Sequence, residues 1–145
     1  MVVLYTIGFT KKNAKDFFNK LRQAKVKKVI DIRLNNNSQL AGFTKKDDLA
    51  FFLQELCNCQ YEHRPDWAPT KEILDRYKKK EITWADYEKL FATLLSEKNI
   101  NETVALENLD HACLLCSEAT PEKCHRRLVA EYLKKIFADL TVKHL

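Results

Sequence analysis

The residues best suited to chemistry lie in one stretch, CLLCSEATPEKCHRR, at positions 113–127. It combines three cysteines and one histidine with two arginines. Thiolates and imidazoles are ligands that zinc prefers, and a thiolate beside an imidazole is a common enzymatic nucleophile. The stretch therefore suggests a metal site or a thiol-based active site, against the plain alternative of a buried strand joined to a helix.

The spacing of Cys113 and Cys116 matches the paired cysteines of a zinc site, but the residues between them do not fit a metal-binding turn. Leu114 and Leu115 belong to an apolar run that predicts a buried strand. Residues three apart on a strand point to opposite faces of the sheet, so the two thiols should diverge. We therefore predict that Cys113 is a small buried core residue.

A metal site would have to be assembled differently, because its ligands can converge from distant segments of the chain. Within the stretch, Cys116, Cys124 and His125 are the candidate ligands. A further ligand could come from elsewhere in the chain, from Cys57, Cys59 or His63. We keep this metal site as an alternative hypothesis.

The apolar residues of the helix that follows this strand form a stripe that defines its buried face, and this face sets the directions of the neighbouring polar side chains. Pro121 is typical of a first helical turn. At ~100° per residue, His125 lies within roughly 10° of the stripe centre, Arg126 roughly 90° from it and Arg127 nearly opposite. We predict that His125 faces the sheet, that Arg126 reaches the site and that Arg127 lies in solvent. The stripe consists of Leu128, Val129, Tyr132, Leu133 and Ile136.

The junction between this strand and this helix gathers several polar side chains. Cys116 and Glu118 close the strand, and Cys124, His125 and Arg126 open the helix. Free backbone N–H groups and partial positive charge in a first helical turn lower a thiol pKa, which we expect at Cys124. Each residue alone is typical of ordinary packing, but together they predict a polar pocket.

Two other predicted strands end in residues that a ligand site would use. Thr6 and Gly8 end the first strand, and Asp31 and Arg33 end the second. Open α/β sheets bind ligands at the carboxyl ends of their strands, and a glycine there would let a ligand approach the backbone. The alternative is that Asp31 and Arg33 simply pair with each other.

Short apolar runs alternate with helical patterns along the whole chain. This alternation predicts one α/β domain over residues 1–145, a three-layer sandwich with a mostly parallel sheet of about five strands flanked by helices. Asn13, Thr44, Thr70, Thr83 and Thr120 are the predicted helix N-caps. The predicted strands are VVLYTIGF (2–9), KKVIDIRL (27–34), CQYEH (59–63), HACLLCSE (111–118) and LTVKHL (140–145).

Composition narrows the class of protein. The only glycines, Gly8 and Gly42, allow neither a dinucleotide-binding fingerprint nor a phosphate-binding loop. The net charge of +5 permits an anionic partner, although the lysines are spread out. No apolar stretch is long enough to span a membrane. Five cysteines and the absence of an export signal predict reduced thiols and a cytoplasmic location.

The motifs YTIG (Tyr5–Gly8), DIR (Asp31–Arg33) and LLCSEATPEKCHRRL (Leu114–Leu128) resemble the signature of the domain of unknown function 488 family. The resemblance runs over nearly the whole chain and implies an α/β fold with a largely parallel sheet. It departs at Phe9 and Thr10, where members often have His-Ser, and at Ser38 and Gln39, where many have Ser-Arg. The resemblance places nine residues at signature positions: Thr6, Gly8, Asp31, Arg33, Cys116, Glu118, Cys124, His125 and Arg126.

The leading hypothesis is a pocket that binds an anionic ligand, such as a nucleotide or a nucleic-acid end. If the pocket is catalytic, Glu118 or His125 would be the acid or base and Cys116 or Cys124 the nucleophile. Arg33 and Arg126 would neutralise the ligand's charge, and Asp31 would orient a histidine or arginine. Thr6 and Gly8 would complete the ligand-binding residues. The alternatives are a non-catalytic nucleic-acid-binding or regulatory module and the metal-binding protein above. We assign no cofactor, enzyme class or oligomeric state from the sequence.

Overall fold

The computed structural model describes residues 1–35, 42–118 and 121–145. Five strands in these ranges form one sheet, in which every neighbouring pair is parallel. They are β1 (Val2–Gly8), β2 (Lys28–Asp31), β3 (Gln60–His63), β4 (Ala112–Cys116) and β5 (Leu140–His144). Their order across the sheet is β3-β2-β4-β1-β5. Each strand lies within its predicted range and is somewhat shorter.

Helices cover both faces of the sheet. The main ones are α1 (Ala14–Gln23), α2 (Lys46–Cys57), α3 (Lys71–Lys78), α4 (Trp84–Lys98) and α5 (His125–Ile136). Helices α1 and α2 bury apolar side chains against one face, and α4 and α5 do so against the other. The predicted three-layer α/β sandwich is thereby confirmed. None of the helices in the described ranges is both long and apolar enough to cross a membrane.

Side-chain alternation along β4 separates the two closely spaced cysteines. Ala112 and Leu114 pack into the core beneath α4 and α5, whereas Cys113 and Leu115 pack into the core beneath α1 and α2. By the same alternation Cys116 points toward α5. The divergence of Cys113 and Cys116 and the core position of Cys113 are therefore confirmed.

The predicted helix caps are confirmed at three positions and wrong at one. Asn13, Thr70 and Thr83 each accept a backbone N–H at the start of their helix. Thr44 does not cap α2, whose N-cap is Lys45 and has no side-chain cap bond. Thr44 instead accepts hydrogen bonds from Arg33, because a buried guanidinium competes for the same oxygen atoms.

Helix α5 begins later than the sequence pattern predicted. Its N-cap is Cys124, with extended backbone, and Pro121 belongs to the preceding turn, closed by a hydrogen bond from Cys124 N–H to the Pro121 carbonyl. The predicted cap Thr120 lies outside the described residues. Proline suits a turn as well as a first helical turn, so the pattern alone set the helix start too early.

The parallel arrangement brings all five carboxyl ends to one edge of the sheet. The register pairs Gly8 with Cys116 across β1 and β4, and Asp31 with His63 across β2 and β3. Thr6 pairs with His144 on the outer strand β5. Residues far apart in the chain thus lie side by side at this edge.

Candidate functional site

The two faces of the sheet divide the predicted site residues into two groups. Thr6 and Cys116 point toward α5, which carries His125 and Arg126. Asp31 points to the opposite face, since Ile30 before it packs beneath α4 and α5. We call Cys116, Cys124, His125 and Arg126 the cysteine cluster, and the residues bonded to Asp31 the Asp31 cluster.

His125 lies between a backbone carbonyl and a thiol. Its Nε2 is 2.7 Å from the carbonyl oxygen of Ile32, and its Nδ1 is 3.3 Å from the Sγ of Cys116. A carbonyl only accepts, so Nε2 carries a proton and the neutral ring has its lone pair on Nδ1. The ring is buried edge-on against Phe91. The prediction that His125 faces the sheet is confirmed, and Nδ1 is placed to take the thiol proton of Cys116.

Several groups around Cys116 stabilise negative charge on its sulfur. Burial alone would raise the pKa of this thiol, but other groups hold the pKa below its ordinary value. They are the Cys124 thiol, the backbone N–H groups of Ser117 and Glu118, and the charge of Arg126. Cys116 is therefore the thiol of this cluster that ionises first.

Cys124 has the opposite character. The neighbouring Cys116 thiol and burial raise the pKa of Cys124 above its ordinary value. The expectation that helix α5 lowers the Cys124 pKa is wrong. The residue sits at the N-cap rather than in the first turn, and the neighbouring sulfur of Cys116 already takes the negative charge.

Arg126 ties the cluster to the first strand and to the loop after β4. It is 1% exposed, and its Nε donates to Thr6 Oγ1 at 3.3 Å. Its Nη1 donates to the Glu118 carbonyl at 2.6 Å and contacts the Cys124 Sγ at 3.6 Å. Arg127 turns away and pairs with acidic side chains at the surface. Both arginine orientations agree with the helical prediction.

Gly8 makes room for the protein's own backbone. A Cβ atom at this position would overlap the carbonyl oxygen of Glu118 and lie 2.6 Å from Nη1 of Arg126. The glycine therefore lets the loop after β4 pack directly on the end of β1. Its predicted role in admitting a ligand stays a prediction.

Glu118 takes part in the cluster through its backbone. Its carbonyl accepts from Arg126 and its N–H faces Cys116, while its side chain is exposed. The predicted role of the Glu118 carboxylate as a general acid or base stays a prediction. Nearby, the backbone N–H and hydroxyl of Thr10 both donate to the Ser117 carbonyl, which fastens the β1 loop to the β4 loop.

The Asp31 cluster is an internally satisfied ion pair. Arg33 Nε and Nη2 donate to the two carboxylate oxygens of Asp31 at 2.9 and 2.7 Å, and Nη2 also donates to the Thr44 carbonyl. Tyr61 donates to Asp31, and the guanidinium lies over the ring of Phe9. The alternative that Asp31 and Arg33 pair with each other is confirmed. The role of Arg33 in neutralising a ligand stays a prediction. The positive charge of Arg33 is already paired with the carboxylate of Asp31.

The structure adds one residue that the sequence analysis did not select. The Thr6 hydroxyl accepts from Arg126 and is also hydrogen-bonded to Nδ1 of His144 on β5. Burial, followed by the charge of Arg126, lowers the pKa of His144. Parallel pairing of the first and last strands would have identified His144, because this pairing places Thr6 and His144 in register. Ser38 and Gln39 lie outside the described residues.

The cysteine cluster also has the donor atoms of a metal site. One group of histidine, cysteine and acidic side chains in the described residues could hold an ion, and it consists of Cys116, Cys124 and His125. Their ligand atoms all lie within 4.8 Å of one another. Two thiols and an imidazole suit zinc, and the Ile32 carbonyl orients the ring by accepting its Nε2–H, as carbonyls beside metal-bound histidines do.

Comparison with known proteins identifies the family. Residues 13–133 match the model of the family described as Domain of unknown function DUF488, so the chain belongs to this family. Comparisons with curated proteins and with solved structures found no match. The predicted family is thereby confirmed.

Proposed function

We propose that this member of the domain of unknown function 488 family binds an anionic ligand beside Cys116 and uses the Cys116 thiolate as a nucleophile. One observation carries the proposal. The His125 imidazole lies 3.3 Å from the Cys116 sulfur at the carboxyl edge of a parallel sheet, and backbone N–H groups and the charge of Arg126 lower the pKa of this thiol against the effect of burial. An environment that stabilises an anion on sulfur also stabilises charge on a ligand or intermediate bound there.

The residues in and beside the cysteine cluster have distinct roles in this proposal. His125 Nδ1, 3.3 Å from Cys116 Sγ, removes the thiol proton as general base. Arg126 supplies the positive charge that offsets the thiolate and the ligand. Thr6 holds Arg126 in place through its hydroxyl. Glu118, exposed beside the cluster, is the candidate acid for protonating a leaving group.

Basic residues near the cluster favour a ligand that carries several negative charges, such as a nucleotide phosphate. Partial burial lowers the pKa of Lys12, as do the nearby charges of Arg126 and Lys20. Lys12 and Lys20, together with Thr10 and Asp16, line a surface cavity of about 520 Å³. Because Thr10 is bonded to Ser117, this cavity lies next to the loop that follows Cys116.

Thermal denaturation in the presence of a nucleotide and metabolite panel tests this function. We expect at least one anionic compound to raise the Tm of the wild type and of Cys113→Ser, and to do so much less in His125→Ala and Cys116→Ser. Cys113 is the matched control because it lies on the same strand and faces the other core. A panel without any stabilising compound, or stabilisation that survives both cluster substitutions, would contradict the proposal.

Added salt separates a small-ligand pocket from a nucleic-acid-binding module. Binding through many phosphates loses roughly 10³–10⁵ in affinity between about 50 and about 200 mM salt, whereas a pocket for one small anion responds far less. Oligonucleotide binding with such a steep salt dependence, unaffected by His125→Ala, would favour the non-catalytic module.

Metal binding is the second candidate function, and the convergence of Cys116, Cys124 and His125 favours it. Elemental analysis of the purified protein provides the test. We expect about one zinc per chain in the wild type and in Cys113→Ser, and almost none in Cys116→Ser or Cys124→Ser. Equal metal content in all four proteins would exclude this cluster as the site.

A further inference from the structure

The two sulfurs of the cysteine cluster are direct neighbours. The Sγ atoms of Cys116 and Cys124 belong to a group of ligand atoms that all lie within 4.8 Å of one another. Cys116 ends β4 and Cys124 is the N-cap of α5, so the pair closes the connecting loop. A disulfide would bring these two sulfurs to the S–S bond length of about 2.05 Å.

We propose that Cys116 and Cys124 form a reversible disulfide when a small hydroperoxide oxidises Cys116. This inference rests on the nucleophilic Cys116 of the proposed function and adds Cys124 as the resolving cysteine. The disulfide would also switch the site off, because it removes the Cys116 nucleophile and both candidate sulfur ligands of a metal.

The chemistry balances in two steps. The Cys116 thiolate attacks one oxygen of the hydroperoxide, the O–O bond breaks, and the departing alkoxide takes the proton that His125 received from Cys116. Cys124 then attacks the sulfenic acid on Cys116, the S–O bond breaks, and the hydroxide leaves with the Cys124 proton as water. Two thiols and one hydroperoxide thus give one disulfide, one alcohol and one water. A dithiol reductant restores the pair.

The surroundings select this pair over the other cysteines. Cys113 faces the opposite core, and Cys57 and Cys59 belong to that same side. Arg126 Nη1 lies 3.6 Å from Cys124 Sγ, so a positive charge stands beside the resolving sulfur. Cys116 and Cys124 are only 4% and 2% exposed, which favours a small hydroperoxide over a bulky disulfide as the oxidant.

Peroxide treatment of the reduced protein, followed by alkylation and mass spectrometry, tests the proposal. The protein should lose about 2 Da, the mass of two hydrogens. Three of its five cysteines should still be alkylated (5 − 2 = 3). Cleavage after Lys123 separates the two partners, so the disulfide appears as a linked peptide pair. Cys113→Ser should give the same linkage, and Cys124→Ser should stop at a sulfenic acid on Cys116 that dimedone traps.

Two outcomes would overturn the disulfide: all five thiols remaining alkylatable after peroxide treatment, or linkages that involve Cys57, Cys59 or Cys113 as often as Cys124. The experiment contains no ligand, and the ligand panel contains no oxidant. If a ligand is found but no disulfide forms, only the redox inference fails. If the disulfide forms but no ligand binds, the anion-binding function fails and the redox pair stands.

Discussion

His125 Nδ1 lies 3.3 Å from Cys116 Sγ while its Nε2 is bonded to the Ile32 carbonyl, so the ring is oriented by the sheet and directed at the thiol. Burial lowers the pKa of His125, and the neutral ring is the form that the fold favours. In the unfolded chain the same ring titrates near its ordinary pKa of about 6.5.

This difference predicts a stability that declines in mild acid. Between the lowered folded pKa and the unfolded pKa, the unfolded chain binds more protons, so the free energy of unfolding rises with pH. The contribution of His125 is fully present above about pH 6.5 and is lost as the pH falls below that value. Urea denaturation of metal-free protein at pH 7.5 and 5.5 should show the decline, and His125→Gln should reduce the difference. An unchanged difference in the variant would assign the acid sensitivity to other groups.

Gly8→Ala should destabilise the fold strongly for its size. The added methyl would overlap the Glu118 carbonyl, which is backbone and cannot rotate away. Overpacking of this kind costs roughly 1–3 kcal/mol, occasionally more. Gly42→Ala is the matched control, since nothing lies within 4 Å of a Cβ there. Urea denaturation should therefore show a lower free energy of unfolding for Gly8→Ala. The free energy of unfolding of Gly42→Ala should stay within about 1 kcal/mol of the wild type. Equal effects would refute the close packing at Gly8.

The sequence sufficed for the strands because buried parallel strands appear as short apolar runs, and it correctly placed Cys113, His125 and Arg127 from local periodicity. Those positions depend only on the geometry of one element. The start of α5 was misplaced because proline fits both a turn and a helix, and only the extended backbone of Cys124 decides between them.

The partition of the candidate site needed the three-dimensional structure. Strand periodicity says which residues share a face within one strand, but the relative facing of Asp31 and Cys116 depends on how β2 and β4 are paired. The same holds for His144, which meets Thr6 through the pairing of the first and last strands. Long-range register, rather than residue type, separates the polar residues that form the cysteine cluster from those that form a structural ion pair.

Asp31→Asn should destabilise the protein by about 3–5 kcal/mol, because it leaves the guanidinium of Arg33 buried without a countercharge. The two side chains are 0% and 3% exposed. The Arg64–Asp66 pair has the same 2.7 Å separation but lies at the surface, so Asp66→Asn should cost no more than about 1 kcal/mol. Equilibrium denaturation of the two variants provides the comparison. Similar losses of unfolding free energy in the two variants would mean that burial does not determine the cost of breaking the Asp31–Arg33 pair.

Thr6→Val tests the link between the first strand and the cysteine cluster. Valine keeps the shape of threonine but removes the hydroxyl that accepts from Arg126 and is hydrogen-bonded to His144. A buried guanidinium that loses an acceptor costs about 1–3 kcal/mol, and a less firmly held Arg126 should also weaken the binding of any ligand found in the panel.

Thr6→Ser keeps the hydroxyl and is the control, with a loss of about 0.5–1.5 kcal/mol for its missing methyl. Urea denaturation gives the stabilities and ligand-induced Tm shifts give the binding. If Thr6→Ser weakens ligand binding as much as Thr6→Val does, packing rather than the hydroxyl positions Arg126.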